Sequence, residues 1–245
     1  MDIVGITRVR NEENVIGHTL EHLKNFCSSI LVYDDCSTDK TVQICKQNPK
    51  VKKIIQNKSW ESDPKKRLEL EGTQRNEIYQ EALKYNPDWV YYFDADEFIE
   101  FDKIWLYGIT ANAIRCRFFD FYITPDDVNK HFLERKYCGI EYREIITLFR
   151  PEMGVNFPHR EPFIPNKKEF TLGKVKHYGK AVSVEEWEST CDYYANHLYE
   201  VNNGQLISEK WKNRKGKAIH EKSDFNTELI TWDETENYNL ITKML

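Results

Sequence analysis

Residues 89–98 have the sequence Trp89-Val90-Tyr91-Tyr92-Phe93-Asp94-Ala95-Asp96-Glu97-Phe98. The first five are aromatic or β-branched and follow the Asn86-Pro87 breaker, a pattern typical of a strand buried on both faces. If the extended conformation persists beyond Phe93, the side chains of Asp94 and Asp96 point the same way. Two carboxylates on one side of a buried strand end repel each other and lose hydration, a cost that a bound cation offsets. The stretch therefore predicts a Mg²⁺ or Mn²⁺ site that bridges to a substrate phosphate.

The first hundred residues alternate strand-like and helix-like segments, which predicts a mostly parallel sheet covered by helices. Strands are expected at 3–9, 29–33, 52–56 and 89–93, and helices at 13–26, after 37–39 and at 74–85. The carboxyl ends of the strands form the ligand crevice in sheets of this kind. Asp94 and Asp96 follow such a strand end.

Beyond residue 100 the pattern loosens into strand candidates at 113–122 and 145–150, followed by a proline-marked loop. A helix is expected over 184–199, where Ser183 and Glu186 have the spacing of a capping box. We predict a single domain, 1–245, with three parts at 1–100, 101–182 and 183–245, the last a helical extension.

Composition limits the classes of partner. The formal net charge is −5, from 35 basic and 40 acidic residues, so the chain has no general attraction for nucleic acid. The six cysteines form no Cys-x-x-Cys pair and no zinc-type spacing, which predicts free thiols. No apolar run approaches the ~20 residues of a membrane span, and the start lacks a signal-peptide pattern. We expect a cytoplasmic protein without a membrane span, for which peripheral membrane contact stays open.

Three motif-like stretches follow one another along the chain, at Thr7–Glu13, Val32–Thr41 and Phe93–Phe98. Together they resemble the nucleotide-sugar half of family 2 glycosyltransferases with the GT-A fold. The resemblance covers residues 1–100 well and 150–195 loosely. The middle stretch matches the family pattern Asp-Asp-Gly-Ser-Thr-Asp-x-Thr except at Cys36, which replaces the glycine. If that glycine normally allows positive φ, the turn must be made differently here.

The resemblance implies an α/β fold of GT-A type, with a Rossmann-like nucleotide-sugar half at 1–100, a smaller mixed acceptor side at 101–182 and the helical extension. The donor-binding residues that it implies are Thr7, Val9, Arg10, Asp35, Gln74, Arg75 and Asp94. Residues 7–10 would line the base and ribose pocket, and Asp35 would hydrogen-bond the base or ribose. Arg75 would bind the diphosphate, since a guanidinium group pairs with phosphate oxygens bidentately.

The metal ligands that the resemblance implies are Asp94, Asp96 and His177, the last in the segment 176–179. Asp94 would contact ribose or metal-bound water. Glu161 is the candidate base that takes the acceptor proton in an inverting reaction, with Asp120 and Glu152 as alternatives. A neighbouring arginine could equally make Glu161 part of a structural ion pair.

These observations favour a metal-dependent enzyme that transfers a sugar from a nucleoside diphosphate donor, with UDP preferred, to a glycan or lipid-linked acceptor. The chain has no Gln-x-x-Arg-Trp motif, which argues against a processive synthase. A nucleotidyltransferase normally carries a glycine-rich loop after its first strand, and residues 8–13 contain no glycine. A non-catalytic nucleotide-sugar or glycan-binding module is the remaining alternative.

Overall fold

A computed structural model describes residues 1–197, 201–202, 205–236 and 241–242. The chain divides into two compact units. Unit 1 comprises residues 1–61, 66–117 and 144–175, and unit 2 comprises 62–65, 118–143 and the described residues from 176 onward. Unit 1 thus takes residues from both of the first two predicted parts. The three-part division of a single domain stays a prediction.

The elements follow in chain order. The first eleven are β1 (Ile3–Val9), α1 (Ile16–His22), β2 (Ser29–Asp34), α2 (Thr41–Gln47), β3 (Val51–Gln56), α3 (Pro64–Leu83), β4 (Trp89–Tyr92), β5 (Glu97–Glu100), β6 (Ala113–Phe121), β7 (Tyr137–Phe149) and β8 (Glu169–His177). They are followed by α4 (Val184–His197), β9 (Val201–Asn202), β10 (Gln205–Leu206), α5 (Ile207–Arg214), β11 (Leu229–Thr231) and β12 (Ile241–Thr242).

The sheet of unit 1 is built around β1. Strand β1 pairs in parallel with β2 and β4, and β2 pairs in parallel with β3. Beyond β4 the partner is β7, which runs antiparallel, and the full order is β3-β2-β1-β4-β7-β6-β8-β5. Ile3, Val4 and Ile6 of β1 are at most 1% exposed, as expected for a central strand covered on both faces. The predicted α/β class with a mostly parallel sheet is confirmed.

Helix α3 packs on this sheet and forms the main core of unit 1. Ile78, Tyr79 and Ala82 of the helix belong to one buried cluster with Val4 and Val90. The helix begins at Pro64, ten residues before the predicted start at 74. Asp63 accepts a hydrogen bond from Lys65 N at 2.9 Å, and proline is favoured in the first helical turn. The charged first half of α3 lacks apolar periodicity, and for that reason the sequence pattern missed it.

Unit 2 is described by itself. The first residues of β7 pair antiparallel with β11, and β7 also pairs in parallel with β12. Helix α4 starts as predicted, because Ser183 Oγ accepts a hydrogen bond from Glu186 N at 3.1 Å. The helix is described as far as His197, and the last two residues predicted for it lie outside the described residues.

All six cysteines are free, as predicted. In the part of the chain that the structure describes, no helix combines the length and the apolar character needed to cross a bilayer.

The turn after β2 is made by Cys36 in the left-handed region, with φ of +60°. The expectation that the turn must differ without glycine is therefore wrong. Four of the five described non-glycine residues with positive φ are asparagines, which tolerate this conformation, and Cys36 is the fifth. Its thiol donates to Asn57 O at 3.1 Å. The turn keeps its geometry, and the cysteine carries the steric cost.

Replacing Cys36 should reveal that cost. We expect Cys36→Gly to have a free energy of unfolding about 1 kcal/mol higher than Cys36→Ala, because only glycine relieves the left-handed strain. Both variants lose the thiol, so alanine is the matched control. Urea unfolding measures the difference, and equal stabilities of the two variants would contradict the strain.

Candidate active site

Asp35 is the buried centre of the first half of the site. It directly follows β2, and its side chain is 3% exposed. One carboxylate oxygen accepts from Arg8 Nη2 at 2.6 Å, and the other accepts from Asn57 Nδ2 at 2.8 Å and Gln74 Nε2 at 3.2 Å. A buried carboxylate is tolerated when paired and hydrogen-bonded in this way. Asp35 and Gln74, both predicted site residues, are thus brought together.

Arg8 is a residue that the sequence analysis did not name. Thr7 and Val9, which it did name, are 0% and 2% exposed, so they can offer a ligand little more than their backbone. Arg8 lies between them, contacts Asp35, and donates through Nε to Gln74 Oε1 at 2.5 Å. The signal was present in the sequence, because an arginine within an apolar strand requires a carboxylate partner.

Arg10 and Trp60 form the outer part of the same region. The guanidinium carbon of Arg10 lies 4.1 Å from the centroid of the Trp60 ring, and Arg67 lies 5.4 Å from the ring. Arg10 Nη1 also donates to the backbone oxygen of Asp35 at 3.5 Å. Aromatic and guanidinium planes next to a buried carboxylate suit a flat heterocycle with hydrogen-bonding edges.

Strand β4 ends at Tyr92, and residues 95–96 form a turn. The assumption that the strand continues through Asp94 and Asp96 is therefore wrong. Glu97 closes the turn, because its backbone N donates to Asp94 O at 3.2 Å and its carboxylate accepts from Asp94 N at 3.0 Å. The two aspartates are therefore positioned by a turn, and not by the alternation of side chains along an extended strand.

Arg160 binds this turn. Its Nη2 lies 3.0 Å from Asp94 Oδ2 and also forms an ion pair with Glu97, whose side chain is 1% exposed. Burial lowers the pKa of Arg160, but Asp94, Glu97 and Asp96 outweigh burial and raise it overall. The guanidinium group is therefore a fixed positive charge next to the acidic turn.

Helix α3 holds the segment that carries Arg160. Asn76 Oδ1 accepts from Phe157 N at 2.8 Å, and Asn76 Nδ2 donates to Phe157 O at 2.9 Å. A Cβ on Gly72 would lie 2.9 Å from that carbonyl oxygen, so the close approach requires glycine. The turn of α3 that carries Arg75, the residue predicted to bind the diphosphate, thus also holds the segment at Phe157.

Arg75 connects the helix to the acidic turn. Its Nε donates to Tyr92 Oη at 2.7 Å, and Tyr92 Oη donates to Asp94 Oδ1 at 3.1 Å. Arg75 Nη1 also pairs with Glu71 at 3.0 Å. Burial lowers the pKa of Arg75, but Tyr92, Asp94 and Glu71 raise it overall, so the group stays charged. Arg75 is therefore linked to Asp94 through Tyr92, and its role at the diphosphate stays a prediction.

The charges of these residues do not balance. The group contains five carboxylates and four guanidinium groups, and these are Asp35, Glu71, Asp94, Asp96 and Glu97 with Arg8, Arg10, Arg75 and Arg160. The carboxylates therefore outnumber the guanidinium groups. Hard carboxylate oxygens in a group of net negative charge fit a divalent cation such as Mg²⁺ or Mn²⁺. The residues present therefore suit the predicted metal.

Glu161 is held by two partners. Its carboxylate pairs with both terminal nitrogens of Arg115, at 2.9 and 3.4 Å, and accepts from Ile146 N at 3.0 Å. The ion pair that the sequence analysis considered is thus present, although Arg115, not Arg160, is the partner. Glu152, an alternative base, accepts from Asn112 Nδ2 at 3.1 Å. The assignment of the base stays a prediction.

His177 and Asp120 lie in unit 2. His177 Nδ1 is 2.8 Å from Asp120 Oδ1, and Lys180 Nζ donates to the other oxygen at 2.9 Å. Burial raises the pKa of Asp120, but Lys180, His177 and Arg143 outweigh it and hold the pKa well below its usual range. An ionised Asp120 fixes the imidazole ring through Nδ1. The role of His177 as a metal ligand stays a prediction.

Comparison with known proteins supports the resemblance drawn from the motifs. Residues 6–114 match the family described as glycosyl transferase family 2. Uncharacterised proteins of Mycobacterium bovis and Mycobacterium tuberculosis are 32% identical over 128 residues, which are 52% of this chain and 28% of each relative. The matched stretch thus spans little more than a quarter of these curated relatives.

Two solved structures show weaker similarity. Residues 1–349 of S. aureus TarS in complex with UDP give a TM-score of 0.46 at 15% identity, over 87% of this chain and 71% of TarS. Glucosyl-3-phosphoglycerate synthase from Mycobacterium tuberculosis, in complex with Mn²⁺, UDP and glucosyl-3-phosphoglycerate, gives a TM-score of 0.35 at 14% identity. The match covers 48% of this chain and 44% of the synthase.

All three motifs lie within the matched residues 6–114. This region matches glycosyl transferase family 2, as the motifs indicated, and the strand order of unit 1 is that of an α/β fold with a mostly parallel sheet.

The ion pairs of unit 2 should make stability depend on pH. Burial raises the pKa of Asp224, but Lys180 and Arg214 outweigh burial and lower the pKa below the ordinary value of an aspartate. A carboxylate with a depressed pKa stabilises the fold above the unfolded pKa, and this contribution is lost as pH falls through the folded pKa. We expect Asp224→Asn to reduce the free energy of unfolding by about 2 kcal/mol at pH 7 and by much less at pH 3.

Urea unfolding at the two pH values measures this difference. Asp126→Asn, at an exposed aspartate of the same unit, is the control and should change stability by less than about 0.5 kcal/mol. A loss at pH 3 as large as that at pH 7 would contradict the assigned ionisation.

Proposed function

We propose that the protein is a metal-dependent glycosyltransferase that moves a sugar from a nucleoside diphosphate donor, UDP-linked, to a glycan or lipid-linked acceptor with inversion. The observation that carries the proposal is the net negative group of carboxylates beside fixed arginines, at strand ends within the region that matches family 2. A divalent ion with a diphosphate matches both the carboxylates and the guanidinium groups.

The base and ribose would be bound at the Asp35 end. Asp35 is buried and held by three donors, and its carboxylate presents acceptor oxygens to ribose hydroxyls or to N–H groups of a base. Arg8 and Gln74 hold this carboxylate in one orientation, so little entropy is lost when the ligand binds. The Arg10–Trp60 pair offers a flat surface for stacking.

The diphosphate would be bound between Arg75 and the acidic turn at Asp94 and Asp96. Arg75 and Arg160 are both charged and both adjoin Asp94, so they can stabilise negative charge on phosphate oxygens. When bound, the metal supplies Lewis-acid assistance to the departing nucleoside diphosphate. Arg160 keeps the acidic turn together by pairing with both Asp94 and Glu97.

Transfer requires a base for the acceptor hydroxyl, and Glu161 is our proposed base. Arg115 Nη1 lies 2.9 Å from the Glu161 carboxylate and holds it in one orientation. The acceptor hydroxyl must therefore compete with Arg115 for the carboxylate. Removal of the Glu161 carboxylate therefore distinguishes a catalytic base from a structural ion-pair partner, the two roles that the sequence analysis left open.

A binding module without turnover is the alternative from another class. A binding module and an enzyme would both bind the donor, but only the enzyme would slowly hydrolyse it. A nucleotidyltransferase is not supported, because residues 8–13, at the end of β1 and just beyond it, contain no glycine.

Metal dependence gives the first test. UDP should raise the melting temperature in the presence of Mn²⁺, and EDTA should weaken UDP binding at least tenfold. Asp96→Asn should remove most of the metal effect, because one negative charge and one hard ligand are lost. Thermal shift and calorimetric titration measure both quantities, with Asp126→Asn as the control. UDP affinity that is indifferent to metal in the wild type would sink the proposed site.

The base is tested by Glu161→Gln. We expect the turnover number for transfer or donor hydrolysis to fall at least about 100-fold, with UDP affinity unchanged, because proton transfer contributes 10²–10⁴-fold. Glu169→Gln is the matched control, since Glu169 also pairs with Arg115, at 3.0 Å. Should Glu161→Gln keep its turnover within threefold but lose stability, Glu161 is a structural ion-pair partner and the base lies elsewhere.

A further inference from the structure

Unit 2 contains a set of charged side chains that the proposed donor site does not use. We call Asp120, Arg143, Lys180, Arg214 and Asp224 the charged cluster. Lys180 bridges the two aspartates, Arg143 Nη2 lies 3.0 Å from Asp120, and Arg214 Nη2 lies 2.7 Å from Asp224. Strands β6 and β7, helix α5 and two loops thus contribute to one group of ion pairs.

The charged cluster has more positive than negative charge. Three cations face two carboxylates, before the neighbouring histidines are counted. Arginine stays protonated in proteins, and Lys180 pairs with both aspartates, at 2.9 Å from Asp120 and 2.5 Å from Asp224. The three cations of the cluster therefore outnumber its two carboxylates by one.

Arg143 carries unused donor capacity. Its Nη2 donates to Asp120 Oδ1 at 3.0 Å and lies 3.2 Å from His177 Nδ1, which itself faces Asp120. Its Nε is buried and has no hydrogen-bond partner among the described residues. Buried donors are rarely left unpaired, since each costs about 1–3 kcal/mol. The guanidinium group is 19% exposed and keeps donors beyond Nη2, which suits a ligand with paired oxygens.

Exposure in the charged cluster favours an anion over a cation. The side chains of Arg143, Lys180 and Arg214 are 19%, 13% and 18% exposed, whereas Asp120 and Asp224 are 6% and 11% exposed. The cationic groups therefore form most of the surface that solvent reaches. A cluster that served stability alone would gain from balanced charges and from a paired Arg143 Nε.

We propose that the charged cluster binds an anionic group, a phosphate or a carboxylate, on the acceptor substrate. The acceptor role rests on the proposed glycosyltransferase function, whereas the anion site itself does not. The acceptor would then be a phosphorylated or acidic glycan. Arg143 supplies the directional donor, and Lys180 and Arg214 supply the surrounding positive charge.

Calorimetric titration of the full chain with small anions tests the site. Glucose 6-phosphate and glucuronate represent the two sources of negative charge, inorganic phosphate is the minimal probe, and neutral glucose is the blank. We expect saturable binding of at least one anion and none of glucose. Arg143→Gln should weaken it about tenfold, the effect of one charge-assisted hydrogen bond. Arg117→Gln, at the half-exposed arginine of β6, is the matched control and should bind as the wild type does.

Arg160→Gln separates this site from the donor site. If anion binding disappears in Arg160→Gln and survives in Arg143→Gln, the anion occupies the diphosphate region and the proposal is overturned. UDP binding measured on the same variants reports on the donor site independently, so Arg143→Gln should retain it. If Arg143→Gln fails to fold, Arg143→Lys takes its place in the experiment. Lysine keeps the positive charge but lacks the planar, bidentate guanidinium group, so Arg143→Lys should also weaken anion binding. Absence of saturable anion binding to the wild type overturns the proposal without any variant.

Discussion

Five carboxylates meet near the carboxyl ends of β2 and β4, and four guanidinium groups lie beside them. Without Arg8, the buried carboxylate of Asp35 would lack a counter-charge, and without Arg160 the turn at Asp94 would contain three mutually repelling groups. The arginines do not cancel the charge completely. That incomplete compensation makes the site stable enough to fold and still attractive to a divalent cation and a diphosphate.

The same constraint explains several features of the fold. Helix α3 supplies Glu71, Gln74 and Arg75 to the site while its apolar face packs on the sheet, so the site and the core depend on one helix. Gly72 and Asn76 bring the loop with Arg160 against that helix. The left-handed Cys36 places the chain after Asp35 in its turn despite the steric cost. Strain and charge are thus concentrated where a ligand would bind, as is common for functional sites.

The sequence predicted the elements whose signal is local. Strands β1 to β4 were recognisable from apolar runs, and the motif at 32–41 indicated the family through its residue pattern alone. Arg8 was missed because residues 7–10 were treated as one lining segment, whereas alternation along a strand separates buried Thr7 from paired Arg8. Arg160 entered the sequence analysis only as a neighbour that could pair with Glu161, since its contact with Asp94 spans 66 residues of sequence. The turn that replaced the predicted extension at Asp94 depends on the side chain of Glu97, which no periodicity rule includes.

The central claim is that the acidic turn after β4 holds a divalent ion against a nucleoside diphosphate. The most direct measurement is anomalous X-ray diffraction at the manganese edge from crystals grown with UDP and Mn²⁺. The account predicts one anomalous peak within coordination distance of Asp96, about 2.2 Å from a carboxylate oxygen, with the diphosphate of UDP on its other side. UDP bound at Asp35 with no manganese peak at this turn would contradict it.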